Sequence, residues 1–148
     1  MNYFEVKVKY EKVQEDGKEK KVTESYLVDA LSFTECEKRI IEEMKLFISG
    51  EFEVYSIART KYEDIIETET DSNISWYKTK LVFTSMDDNG KEKQEIHYML
   101  VEGTNIDNAK DNLDKFMETT MADFKVVTIS ETPIMDIYKY QNNAENAI

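Results

Sequence analysis

The chain has 148 residues, with 31 acidic and 19 basic side chains and a net charge of −12 at pH 7. This acidic excess argues against a protein that coats duplex DNA by bulk electrostatic attraction. No apolar run approaches the ~18–20 residues of a membrane span, and the N-terminus lacks the pattern of a secretion signal. Cys36 is the only cysteine, which excludes an internal disulfide and favours an intracellular setting. We therefore expect one compact cytoplasmic domain with no membrane partner.

The first elements predicted along the chain are two strands joined by a tight turn. Apolar and polar residues alternate over residues 4–10, which is typical of a half-buried strand. Asp16-Gly17 predicts a type I′ hairpin turn, because that turn needs positive φ at both central residues. Residues 22–29 form the returning strand.

A helix and a third strand are predicted to follow the hairpin. Ser32 and Glu35 have the spacing of a capping box, and apolar residues then recur at three- and four-residue intervals. Gly50 suits a left-handed C-cap that ends the helix. Residues 52–60 alternate again, so the first unit has the order ββαβ.

The second half of the chain repeats the first. Asn89-Gly90-Lys91-Glu92-Lys93 matches Asp16-Gly17-Lys18-Glu19-Lys20 at an offset of 73 residues, and strand and helix patterns follow in the same order. We infer an internal duplication and an α+β fold, in which two ββαβ repeats form one pseudo-two-fold domain with antiparallel sheets packed on two helices. The predicted boundaries are repeat 1 over 1–66, an acidic connector over 67–75, repeat 2 over 76–138 and a frayed C-terminal tail over 139–148.

Positive charge is concentrated in the two hairpins. Residues 3–21 hold six lysines against five acids, and residues 76–93 hold four against three. Residues 24–75 and 95–148 are strongly acidic. The hairpin lysines either mark a binding region or simply suit solvated strand faces.

Catalytic and metal-binding chemistry has little support in the sequence. His97 is the only histidine and lies inside a predicted strand, and Cys36 falls on the apolar face of the first helix. No Cys/His spacing fits a zinc site, and no glycine-rich phosphate loop is present. Asp64 and Asp136 are a repeated pair that fits either a structural contact or, less well, a metal-dependent site. We predict no catalytic residue, no metal and no cofactor.

The first strand of each repeat carries an aromatic residue followed by two lysines on one face. Such a face suits single-stranded nucleic acid, because bases stack on rings and ammonium groups contact phosphates. Alternatively, the aromatic residues cover an edge of the core. The turn lysines would form the rims of this binding face. The candidate nucleic-acid-binding residues are Tyr3, Lys7, Lys9, Trp76, Lys78, Lys80, Lys18, Lys20, Lys91 and Lys93.

Three segments, at residues 26–35, 48–54 and 131–136, resemble an uncharacterised family of gut Bacteroidetes and their crAss-like phages. They read Tyr-Leu-Val-Asp-Ala-Leu-Ser-Phe-Thr-Glu, Ile-Ser-Gly-Glu-Phe-Glu-Val and Glu-Thr-Pro-Ile-Met-Asp. The resemblance implies an intracellular bacterial or phage protein and carries over no functional residues. The architecture is more distantly similar to PUR-repeat and whirly-type proteins, which bind single-stranded nucleic acid through duplicated strand-rich repeats, although those repeats place four strands before the helix.

These observations together favour a binding protein rather than an enzyme. We expect single-stranded DNA, or RNA, as the ligand and a role in phage or mobile-element replication or recombination. The alternative is a protein-interaction or virion-associated structural module that does not bind nucleic acid. Partners would then be copies of the same chain or replication and virion proteins.

Overall fold

The computed structural model describes residues 2–68 and 73–140, which form two helices and two four-stranded sheets. The fold class is α+β, as predicted. Residues 141–148 of the predicted tail and residues 69–72 of the predicted connector lie outside the described residues. In chain order the helices and strands are β1 Tyr3–Val13, β2 Glu19–Asp29, α1 Phe33–Phe47, β3 Phe52–Arg59, β4 Tyr62–Ile66, β5 Ser75–Met86, β6 Glu92–Gly103, α2 Ile106–Met117, β7 Asp123–Thr132 and β8 Ile134–Tyr138.

The elements divide into two compact units. Unit 1 contains the described residues up to Thr60 together with those from Ile134 onward, and unit 2 spans Lys61–Pro133. The sheet of unit 1 has the order β3-β1-β2-β8, and that of unit 2, taken in the matching direction, has the order β7-β5-β6-β4. The common strand order fits the predicted repeat, whose evolutionary origin stays an inference from the sequence.

The short strands β4 and β8 change the predicted boundaries. The segment at 62–66, which the sequence places at the end of repeat 1, instead pairs in parallel with β6 of unit 2. In the same way, β8 pairs in parallel with β2 of unit 1. Ile66 is buried in the core of unit 2, so the burial of an apolar side chain accompanies this pairing. The sheet of each unit therefore contains the three strands of its ββαβ segment and a fourth strand from a different part of the chain.

Both hairpin turns have the same geometry, which differs from the predicted type I′ turn. In the first, the Gly17 N–H donates to the Gln14 carbonyl at 3.0 Å and the Gln14 N–H donates to the Lys18 carbonyl at 2.8 Å. Among the described turn residues only the glycines have positive φ, 83° at Gly17 and 78° at Gly90. This is a type I turn closed by a glycine bulge, the usual form of a longer hairpin loop. The charged residues of both turns are exposed.

Each helix packs its apolar face on one side of its own sheet. The Ser32 hydroxyl accepts from the Glu35 N–H at 3.1 Å, as the predicted capping box requires. The Glu35 carboxylate reaches back one residue further than in a capping box and accepts from the Leu31 N–H at 3.3 Å. Asn105 caps α2 by accepting from the Asn108 N–H at 2.8 Å. The buried residues of the helices recur with helical spacing: Cys36, Ile40 and Met44 in α1, and Ala109, Leu113 and Met117 in α2.

Candidate nucleic-acid interface

The lysines of the first strand in each unit lie on the side of the sheet that faces away from the helix. In β5, Tyr77 and Leu81 belong to the core under α2, so the alternation of the strand directs Lys78 and Lys80 to the opposite side. In β1, Val6 and Val8 belong to the core under α1. Lys7 and Lys9 therefore share the outer side of their sheet, as predicted.

The aromatic residues of these strands do not form the predicted stacking surface. Only 5% of Tyr3 and 6% of Trp76 is exposed. Leu27 and Leu100, which lie on the same sides of the two sheets, are fully buried. The alternation correctly predicts which residues share a side, but it does not reveal that one end of that side is shielded from water. Tyr3 and Trp76 therefore act as buried packing residues, which was the alternative interpretation.

The turn lysines do not join the strand lysines in one surface. Lys20 lies opposite Lys12, and Lys93 lies opposite Ser85, so both project to the helix side of their sheets. Lys93 also forms an ion pair with Glu95 at 3.5 Å. Lys18 and Lys91 are exposed within the turns themselves. The predicted rim of four lysines around a single face is thus not present.

The outer side of the sheet in unit 2 carries three lysines and several polar side chains in neighbouring rows. Across the strands, Lys78 lies between Leu100 and Ser130, and Lys80 lies between Tyr98 and Thr128. The Lys78 ammonium is 4.9 Å from the centre of the Tyr98 ring. One further cation, Lys125 of β7, pairs with Val82 and so shares this side. We call the region formed by Lys78, Lys80, Tyr98 and Lys125 the unit 2 face.

The corresponding region of unit 1 has mixed charge. Lys7 lies between Ser25 and Ser56, whereas Lys9 lies between Thr23 and Glu53. The Lys9 ammonium lies 3.4 Å above the centre of the Tyr55 ring. Since a carboxylate directly opposite Lys9 competes with phosphate for the ammonium group, unit 1 is the weaker candidate.

Tyr55, Tyr98 and Lys125 were missed in the sequence. The hairpin centred on Asn89-Gly90 fixes the register of β5 and β6, in which Tyr98 lies opposite Lys80. The position of Tyr98 could therefore have been predicted from the sequence. Tyr55 is the extra residue of a β-bulge, where the register of β1 and β3 shifts. Lys125 lies beyond a matching shift between β5 and β7. No local pattern in the sequence predicts either β-bulge.

A family model described as a domain of unknown function, DUF4494, matches residues 2–140. The chain belongs to this family. No curated protein matches it. The match covers both units of the DUF4494 fold, including β4 and β8.

One cluster of titratable groups in this DUF4494 chain surrounds His97 of β6. Its ring lies between Glu63, which contacts Nδ1, and Glu95, which is 3.4 Å from Nε2. The hydrogen bond with Glu63 is the main cause that raises the pKa of His97 above its ordinary value, while burial opposes it. The two carboxylates flank opposite ring nitrogens rather than converging on one point. Within residues 2–68 and 73–140, no group of three such side chains could hold a metal ion.

Two remaining features bear on the predicted chemistry. Burial raises the pKa of the Cys36 thiol to about 11, so this thiol is protonated at neutral pH and unsuited to nucleophilic attack. Asp64 lies in β4 of unit 2 and Asp136 in β8 of unit 1.

Neither helix in the described part of this DUF4494 chain is long and apolar enough to cross a membrane.

Proposed function

We propose that the protein is a non-enzymatic single-stranded nucleic-acid-binding protein and that the unit 2 face is its binding surface. One observation supports this assignment above the others. The four cross-strand neighbours of Lys78 and Lys80 are the neutral residues Leu100, Ser130, Tyr98 and Thr128. Both ammonium groups therefore have no carboxylate directly opposite them and remain available to phosphate oxygens.

The chemistry of the surrounding side chains fits a flexible strand. The hydroxyls of Ser130 and Thr128 are donors and acceptors for phosphate and sugar oxygens. The Tyr98 ring offers a stacking surface to a base once Lys78 moves from it. A base stacked on an aromatic ring contributes about 1–3 kcal/mol, whereas an exposed cation–π contact contributes about 0.5–1 kcal/mol. The exchange of the ammonium for a base is therefore favourable.

The acidic remainder of the chain limits what this surface binds. On the same side of the sheet, Glu102 lies in the row of Trp76 at one end, and Asp123 and Glu92 lie near Thr84 and Met86 at the other. Glu102 is buried, but long or rigid polyanions would meet Asp123, Glu92 and the net charge of −12. A short stretch of single strand would contact mainly the central lysines.

Fluorescence anisotropy of labelled oligo-dT, titrated over a series of salt concentrations, tests this function. Three phosphate contacts predict a slope of log K against log salt of about −2, since each contact on a single strand contributes about −0.7. Replacing Lys80 by alanine should lower the affinity and make that slope less steep by about 0.7. Replacing Tyr98 by alanine should lower the affinity with an unchanged slope, because the ring carries no charge.

Lys110→Ala is the matched control for this experiment. Lys110 is exposed on α2, where it forms only a loose pair with Asp114 at 3.8 Å, and its removal changes the net charge equally. The control should leave oligo-dT binding unchanged. Absence of binding at the lowest salt concentration, or an equal loss in Lys80→Ala and Lys110→Ala, would rule out the unit 2 face as the binding surface. Oligo-rU in place of oligo-dT compares RNA with DNA.

The resemblance of three segments to a family of gut Bacteroidetes and their crAss-like phages supports the biological setting of this proposal. Relatives in gut Bacteroidetes and crAss-like phages would place the protein in the cytoplasm, in phage or mobile-element replication or recombination. The architectural similarity to PUR-repeat and whirly-type proteins supports the same ligand class, because a sheet with a helix on one side leaves its other side for a strand of nucleic acid. Replication proteins would be the natural protein partners.

The alternative function, a protein-interaction or virion-associated module, is favoured by exposed apolar side chains at the end of α1. Leu46 is 78% exposed and Phe47 is 70% exposed, which is unusual for two neighbouring large apolar residues. Light scattering measures the solution mass. A mass above that of the monomer that returns to the monomer value in Leu46→Ser/Phe47→Ser would favour this function over nucleic-acid binding.

A further inference from the structure

The His97 cluster, formed by Glu63, Glu95 and His97, joins the side chains of two neighbouring strands in unit 2. Glu63 belongs to β4, whereas Glu95 and His97 belong to β6. The His97 ring also packs edge-on against Phe83 of β5, with ring centres 4.6 Å apart. Since only 24% of the His97 side chain is exposed, the ring is held in place rather than free in solvent.

The strand β4 is the shortest strand in its sheet and has the shortest pairing with a neighbour. The strand has five residues, lies at the edge and pairs with β6 alone. Its register shifts between Tyr62 and Asp64, so Glu63 stands at an irregularity in the ladder. A side-chain contact at this position therefore makes a larger relative contribution to holding β4 than it would in a long central strand.

We propose that the His97 cluster is a pH-responsive latch that fastens β4 to β6 when His97 is protonated and loosens it when His97 is neutral. The imidazolium donates from both ring nitrogens, so it bonds both Glu63 and Glu95 and offsets their charges. The neutral ring has a single N–H. One carboxylate then faces a ring nitrogen without a proton, and the two negative charges are no longer screened from each other.

The charged groups around the ring determine the sign of the effect. Glu63 faces it from β4, and Glu95 and Lys93 lie on β6, with Lys93 paired to Glu95. From β5 the neighbours are Phe83 and, opposite in the ladder, Leu81. The ring is thus surrounded by two carboxylates and one ammonium group, and this excess of negative charge favours the imidazolium. The raised pKa of His97 and the lowered pKa of Glu95 agree with this sign.

Linkage gives the pH range in which the latch operates. A histidine whose pKa is raised in the docked state stabilises docking fully below its ordinary pKa of about 6.5. That stabilisation is lost as the pH rises through the raised value. Within this window the ratio of detached to docked β4 rises by up to about tenfold per pH unit. Because β4 follows β3 after only Thr60 and Lys61, its release would loosen the chain that leads from unit 1 into unit 2.

Two measurements on the full chain test the latch. NMR titration of the His97 ring protons gives its pKa, which should lie above the ordinary value and fall toward it in Glu63→Gln. Hydrogen exchange followed by mass spectrometry gives protection factors for peptides covering β4, corrected for the intrinsic pH dependence of exchange. In the unaltered chain, β4 protection should fall as the pH is raised through the measured pKa, and in His97→Gln it should be low and independent of pH.

The chain contains its own control, because β8 occupies the equivalent place in unit 1 with Met135 and Glu24 at the positions that correspond to Glu63 and His97. Protection of β8 should not follow the titration of His97. Glu92→Gln, which removes an exposed carboxylate of β6 outside the cluster, should leave the His97 pKa unchanged. A His97 pKa at or below the ordinary value overturns the latch, as does a β4 protection profile that matches that of β8 at every pH.

Discussion

Glycines at three positions of this chain have different structural roles. Gly90 has a φ of 78° in the second hairpin turn, and a Cβ there would meet no other atom, so the backbone conformation alone favours glycine. Gly103 at the end of β6 is different, because a Cβ there would lie 2.8 Å from the backbone nitrogen and Cβ of Ala109. Gly50 has neither restriction. The helix α1 ends at Phe47 and its C-cap residue, Ile48, is extended, so the left-handed cap predicted at Gly50 is wrong.

Replacing Gly103 by alanine should destabilise the fold, because α2 would have to move away from β6 to admit the methyl group. Overpacking of this kind costs about 1–3 kcal/mol. Equilibrium unfolding in urea measures the change. Gly50→Ala adds the same methyl group in open space and serves as the control, with a change within about 0.5 kcal/mol. Equal stability of the two variants would mean that the approach of α2 to β6 is looser than these distances indicate.

The two hairpins share one backbone geometry but differ in the side chain that supports it. In the second hairpin, Asp87 accepts from the Asn89 N–H at 2.9 Å and from the Lys91 N–H at 2.8 Å. The equivalent position in the first hairpin is Gln14, whose side chain donates to the Lys12 carbonyl at 3.3 Å instead. An aspartate that accepts two turn N–H groups in this way stabilises the conformation of the loop.

Asp87→Ala should therefore lower the free energy of unfolding by about 0.5–1.5 kcal/mol, the usual net contribution of such hydrogen bonds. Gln14→Ala at the equivalent position should change it less, since its contact is long and exposed. Urea midpoints of the two variants provide the comparison. A larger loss in Gln14→Ala would show that the side chain of Asp87 is not what stabilises the second turn.

The sequence predicts most of the strands and helices but only part of the candidate interface. Alternation correctly assigns Lys78 and Lys80 to one side of β5, and Ser32 correctly marks the start of α1. The burial of Trp76 was not predictable, because alternation carries no information about what shields the outer side of a sheet. The pairing of β4 with β6 was missed for a related reason. A five-residue segment with little periodicity fits either unit, and tertiary packing decides between them.

The acidic excess of the chain should give stability and the proposed nucleic-acid binding opposite responses to salt. With 31 acidic and 19 basic residues, the folded state carries self-repulsion that dissolved ions screen. Added sodium chloride should therefore raise the thermal midpoint, by about 2–4 °C for each 1 kcal/mol of repulsion removed from a chain of this size. Binding to the unit 2 face should weaken over the same range, because counterions compete with the lysines for phosphate.

Circular dichroism melts and oligo-dT titrations in one series of buffers measure both responses on the same sample. A rising midpoint together with falling affinity shows that lost binding at high salt reflects competition for the lysines and not unfolding. In Lys80→Ala the midpoint should rise with salt about as steeply as in the unaltered chain, because one charge changes a net charge of −12 only slightly. The binding slope should become shallower, because a phosphate contact is lost. A midpoint that falls with salt would contradict the role given to the acidic excess and would point to ion pairs as the dominant electrostatic contribution to stability.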